Sequence, residues 1–131
     1  MKHVGKIPNS IEAEKGCLGC ILLSPNECLA ECMTRFKPGH EVFYDLKHQL
    51  IYKTMVDMHE SKQAIDVITL HERLKGTEQI NSAGGVAYLA SLPDFTPSAA
   101  NVGFYIGIIL EKYVLRQMLE HCGDFLLKAY E

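Results

Sequence analysis

Pro8-Asn9-Ser10-Ile11-Glu12-Ala13-Glu14, running on through Leu18-Gly19 to Leu23, is a helix start followed by a buried helical stripe. Asn9 can accept from the N–H of Glu12 while Glu12 reaches back, the reciprocal arrangement of a capping box; Ser10 is the competing cap one residue later. Ile11, Leu18, Ile21 and Leu22 then recur at the spacing of one helix face. Nowhere do β-branched and polar residues alternate long enough for a strand, so the chain reads as all-α.

Outward from that helix the punctuation repeats. Ser24, Pro25 and Glu27 predict a second helix start, with proline at the first position and a capping box, ending near Arg35 before Lys37-Pro38-Gly39. A third helix follows Asp45 and carries Leu46, Leu50, Ile51, Met55 and Met58 on its buried side. Asp66 caps a fourth, with Val67, Leu70 and Leu74 inward and Gly76 as its stop. Gly84-Gly85 opens a short fifth helix that runs through Ser91 and ends at Pro93. Thr96 caps the last helix, Pro97 fits its first turn, and the pattern continues to Tyr130 through Gly103, Gly107 and Gly123. Each of those glycines costs roughly 1 kcal/mol of helix propensity relative to alanine, so packing must hold this helix together. The expectation is a compact bundle of about six helices in a single domain of 131 residues.

Hydrophobic residues make up 47% and charged residues 22%, and the net charge is −3. No block of Lys or Arg supplies the basic stripe that engages phosphates, which argues against tight DNA binding by this domain. No apolar run approaches the ~20 residues that span a bilayer, and the N-terminus lacks a signal-peptide core. An intracellular, soluble protein without a membrane role is expected. The five cysteines, an odd number, fit free thiols in a reducing compartment.

Cys17, Cys20, Cys28 and Cys32 have the look of a four-thiolate zinc site or a redox pair, but both pairs fall inside predicted helices. Zinc pairs usually sit on tight turns, and free cysteine behaves as a small buried hydrophobe. A core role is therefore expected, with metal or redox responsiveness as the alternative function. The six histidines form no HExxH-like pair, the carboxylates reveal no acid/base pair, and no GxxxxGK[ST] loop cradles a nucleotide. No catalytic residue and no cofactor site is expected.

Gly103 and Gly107 place two small residues on one helix face, where another helix can approach. Packing against the first or third helix competes there with self-association. Farther along, Val114, Leu115, Met118, Leu119, Cys122, Phe125, Leu126 and Leu127 project around more than one side of the helix. A helix apolar nearly all round needs partners on several sides, which predicts more chain or another subunit over Leu115, Leu119, Phe125 and Leu126.

Five segments in order resemble the N-terminal domain of the bacterial replicative DNA helicase, the DnaB family. They are Ser10-Ile11-Glu12-Ala13-Glu14 with Leu18-Gly19; Phe43-Tyr44 with His48 and Ile51; Ile65-Asp66 with Thr69-Leu70; Gly84-Gly85 with Tyr88-Leu89; and Thr96-Pro97-Ser98-Ala99-Ala100-Asn101. The resemblance implies a flexible tail over residues 1–8, a head over 9–105, and the first arm of a helical hairpin over 106–131, its mate absent. It implies a fragment of a longer, cytoplasmic helicase from a bacterial or phage-infected cell, with a naturally short protein of the same fold as the alternative. ATP, Mg and single-stranded DNA would then belong to a motor domain elsewhere in the parent. Implied partners are further copies in a hexameric collar, the C-terminal domain of primase, and a helicase loader. Asp57, Glu60, Glu72, Arg73 and Glu78, on or beside the third and fourth helices, are candidate partner contacts, although for each of them singly an ordinary solvated face is the stronger reading.

Overall fold

Ser10 takes the first cap: its hydroxyl accepts from Ala13 N–H at 3.2 Å, while Asn9 Nδ2 donates to Ile7 O instead. The computed structural model describes residues 5–131 and holds six α-helices and no strand among them. They are α1 (Ile11–Leu23), α2 (Pro25–Arg35), α3 (Leu46–Glu60), α4 (Val67–Gly76), α5 (Val86–Phe95) and α6 (Val102–Ala129). Two 3-10 turns, Gly39–Val42 and Ala99–Asn101, precede α3 and α6.

The stripe expected on α1 is wider in the structure. Ala13, Glu14 and every residue from Gly16 to Leu22 are buried, because α1 is the central helix, packed by α2, α3, α5 and α6. Gly19 lies against α5 so closely that a Cβ there would stand 2.3 Å from Leu92 O. Phe36, Phe43 and Tyr52 form an aromatic cluster with ring centroids 5.2–5.7 Å apart. Asp66 and Thr69 close a reciprocal capping box at the start of α4. Gly84 and Gly85 turn the chain into α5 with φ of +100° and +85°, values that only glycine adopts without strain.

Four local expectations are corrected. Ser24 is shared between α1 and α2, donating its N–H to Cys20 O, and its side chain caps nothing. Leu46 is exposed at the start of α3, where its turn leaves the core, and the buried face carries His48 and Tyr52 instead. Pro93 lies inside α5, two residues from its end, where its missing N–H removes one bond of the last turn without splitting the helix. Thr96 does not cap α6: its hydroxyl donates to Ser98 O at 3.1 Å, Ser98 caps the following 3-10 turn, and α6 opens two residues after that turn's midpoint.

α6 continues through Gly103, Gly107 and Gly123 without a break. The Gly103–Gly107 face meets neither α1 nor α3 but Arg35 of α2, whose Nη1 donates to Gly103 O at 3.1 Å. Val102, Ile106 and Ile109 are buried against the head, and every residue from Met118 onward is exposed. Pro8, inside the expected tail, is half-buried and its carbonyl accepts from Arg116. Residues 1–4 of that tail lie outside the described residues.

Candidate assembly surface and the network behind it

Glu14 stands on α1 among Cys17, Leu18 and Ile21 and is only 2% exposed. A carboxylate at such a position must be fully hydrogen-bonded to be tolerated. Its Oε2 accepts from Tyr44 N–H at 2.6 Å, and its Oε1 accepts from Asp45 N–H at 3.3 Å and from His48 Nδ1 at 2.7 Å. His48, fully buried on α3, meets the Tyr88 hydroxyl of α5 through Nε2. Nδ1–H donating to Glu14, with Nε2 accepting from Tyr88, satisfies every member. The His48 and Tyr88 rings stack at 5.9 Å, and Lys47 Nζ lies 4.2 Å above the Tyr88 ring. Burial, reinforced by the Asp45 and Glu14 carboxylates, pushes the Tyr88 phenol up to about 12.

This network ties α1, α3 and α5 to the strap Val42–Asp45. Its groups are satisfied by one another and turned inward, so the arrangement fastens helices and offers a substrate nothing. The sequence reading missed it by treating the histidines as scattered and the carboxylates as unpaired. A signal was present: Glu14 shares a helix face with Leu18, and His48 shares one with Ile51 and Tyr52. A polar side chain on an apolar stripe asks for a partner.

The cysteines do not converge. Cys17 Sγ lies 3.5 Å from Cys32 Sγ, whereas Cys20 points at Thr96 Oγ1 and Ser98 O, and Cys28 at Ala99 O. The hydrogen bond with Cys32, then burial, raises the Cys17 thiol; burial raises Cys20 and lifts Cys28 to about 11. Zinc needs thiolates gathered around one point, and no metal-binding group of three or more ligands occurs among the described residues. The metal and redox alternative gains no support: Cys17 meets Cys32 rather than Cys20, and these thiols pack α1 against α2 and the turn before α6.

The other expected site residues fall in two places. Asp57 and Glu60 are exposed on α3, Glu72 on α4 and Glu78 just after it, while Arg73 is half-buried and donates to Gln63 Oε1 at 2.9 Å. Leu115, Leu119, Phe125 and Leu126 lie on the outer half of α6, exposed at 37%, 57%, 75% and 63%. Val114, Met118, Leu127 and Tyr130 extend the same apolar surface. Together they make the most extended run of exposed apolar side chains among the described residues. No helix of the described residues is long and apolar enough to cross a membrane.

Fold and surface together define an all-α domain built around a buried polar pin, with an apolar helical arm projecting from it. The description "DnaB-like helicase N terminal domain" matches residues 6–111, and the chain belongs to that family. The replicative DNA helicase DnaB of Geobacillus stearothermophilus is 38% identical over 123 residues, 94% of this chain and 26% of that protein. That of Rhodothermus marinus is 34% identical over 131 residues, 99% of this chain and 14% of that protein. The chain thus spans about a quarter or less of the length of these relatives. The crystal structure of the N-terminal domain of DnaB helicase from Mycobacterium tuberculosis superposes with a TM-score of 0.89 at 30% identity, covering 95% of this chain and 85% of that one.

The geometry also explains what the five matching segments have in common. Ser10 caps α1, Glu14, His48 and Tyr88 form the pin, and Gly19 admits α5. Asp66 and Thr69 cap α4, and Thr96 holds the turn into α6. All of them position helices.

Proposed function

We propose that this chain is the non-catalytic N-terminal domain of a hexameric, ATP-dependent replicative DNA helicase of the cytoplasm. In this reading it joins subunits into an N-terminal collar through the outer half of α6. Primase, through its C-terminal domain, or a loader docks on the polar surface bearing Asp57, Glu60, Glu72, Arg73 and Glu78. ATP, Mg and single-stranded DNA engage a motor region of the parent protein. The observation that carries the reading is the apolar surface of α6 beyond Arg116, which has no cover within the described residues. Collar contacts and primase occupancy influence each other, and each must change the other's affinity by the same factor.

Titration of the purified chain with a primase C-terminal domain, followed by light scattering, tests this. A complex of defined mass that weakens when Glu72 and Glu78 are both changed to lysine supports docking on that surface. A chain indifferent to primase at every concentration at which it self-associates contradicts the docking and leaves assembly as the remaining role.

A further inference from the structure

Arg116 occupies the place where α6 leaves the head. Its Nη1 donates to Pro8 O at 3.0 Å and its Nη2 to Val42 O at 2.8 Å. These carbonyls belong to segments far apart in sequence, one ahead of α1 and one at the end of the 3-10 turn. The guanidinium carbon lies 5.4 Å from the Tyr44 ring centroid and 5.8 Å from that of Tyr113, within cation–π range. Burial lowers the Arg116 pKa, and the nearby Glu14 carboxylate opposes that shift. A guanidinium keeps its charge under such a shift, so the clasp stays charged.

The strap Val42–Asp45 is thereby gripped from both sides. Glu14 holds it from α1 through the N–H groups of Tyr44 and Asp45, and Arg116 holds it from α6 through Val42 O and the Tyr44 ring. One turn beyond Arg116 all side chains are exposed, so no contact farther out can set the direction of α6. Only a planar fork with separate donors reaches both carbonyls at once, and the single ammonium of lysine does not reproduce it.

We propose that Arg116 is the positioning residue that narrows the angle between arm and head beyond what the packing of Val102, Ile106 and Ile109 sets, locking the arm to the buried Glu14–His48–Tyr88 pin through the strap. It rests on the assembly reading above, because a fixed angle is what lets arms from two copies meet in register. Loosening the clasp leaves the head folded, widens the range of arm angles, and weakens pairing several-fold.

Cys122 makes the test direct, since it is exposed on the arm whereas the other four cysteines are buried. Spin labels at Cys122 and at an added K75C, on the exposed side of α4, report the arm-to-head distance in the full chain at concentrations where it is monomeric. The native arm should give one narrow distribution. R116A and R116K should both broaden it while far- and near-ultraviolet circular dichroism stay native. R116K decides the matter if R116A does not fold, because it retains the charge and the stem. Native-width distributions in the folded variants overturn the proposal, as does loss of the head fold in both. A native chain that never pairs at higher concentration contradicts the assembly reading alone, because the distance measurement is made on monomers.

Discussion

The head and the outer arm are built from similar residues that meet opposite fates. In the head, Leu89 and Leu92 of the ten-residue α5 are sealed from solvent. On α6, Leu119, Leu126 and Leu127 stand in water. The difference is neighbours. α5 lies along α1, with Gly19 cut back to let the backbones meet, whereas among the described residues every side chain of α6 from Met118 onward is exposed. Apolar composition creates a demand for cover, and only topology decides whether the same chain supplies it. Where it does not, the demand becomes a binding surface.

The largest expected contrast sets a head side chain against an arm one. Glu14→Ala leaves His48 and two backbone N–H groups buried without an acceptor. Each buried donor left unsatisfied in this way costs about 1–3 kcal/mol. Denaturant unfolding of Glu14→Ala beside Glu120→Ala, whose carboxylate is exposed on the arm, should show a large drop for the first and none for the second. Equal effects would break the distinction between pinned head and free arm.

Next in size is a pair of glycines. A Cβ at Gly19 would strike Leu92 O, while one at Gly123 would meet nothing within 4 Å. Overpacking costs about 1–3 kcal/mol or more, so Gly19→Ala should lower the melting temperature of the head. Gly123→Ala should add helix stability of roughly 1 kcal/mol, read as increased protection of arm amides from hydrogen exchange. A tolerated Gly19→Ala would mean that α1 and α5 can part at little cost.

The smallest effect is a pH dependence confined to the head. The Cys28 thiol is raised from 9.0 to about 11, and the Tyr88 phenol from 10.0 to about 12. Both groups hold their protons more tightly folded than unfolded. Their contribution is fully present below pH 9 and is lost as pH rises through the window from about 9 to about 12. Urea midpoints should fall across that window, and Tyr88→Phe should reduce the part of the loss above about pH 10. A midpoint that does not move would contradict the burial of these two groups.

Much of the fold was legible because helix ends announce themselves chemically. Asp45 and Asp66 cap α3 and α4 as their positions foretell, and the arm's apolar surplus is visible as a helix with too many exposed leucines. The misplaced ends have separate causes. Thr96 and Pro97 make a plausible helix start, but the Thr96 hydroxyl is taken by Ser98 O, and the 3-10 turn moves the start of α6 to Val102. Pro93 reads as a stop, yet a proline in the final turn costs little. The need of Glu14 and His48 for partners was legible from their apolar helix faces, but which residues meet in the pin and in the Arg116 clasp was not. Their members stand 34 residues apart for Glu14 and His48, and 74 for Val42 and Arg116, so no local pattern connects them.

Sedimentation equilibrium of the whole chain, beside a variant carrying Leu119→Asp and Leu126→Asp, tests the central claim most directly. The native chain should rise with concentration from the 14.7 kDa monomer toward a dimer. The variant should stay monomeric with an unchanged thermal transition, because neither leucine contributes to the core of the head. A native chain that remains monomeric throughout, or a variant that associates equally well, would contradict the assignment of the outer arm as the assembly surface.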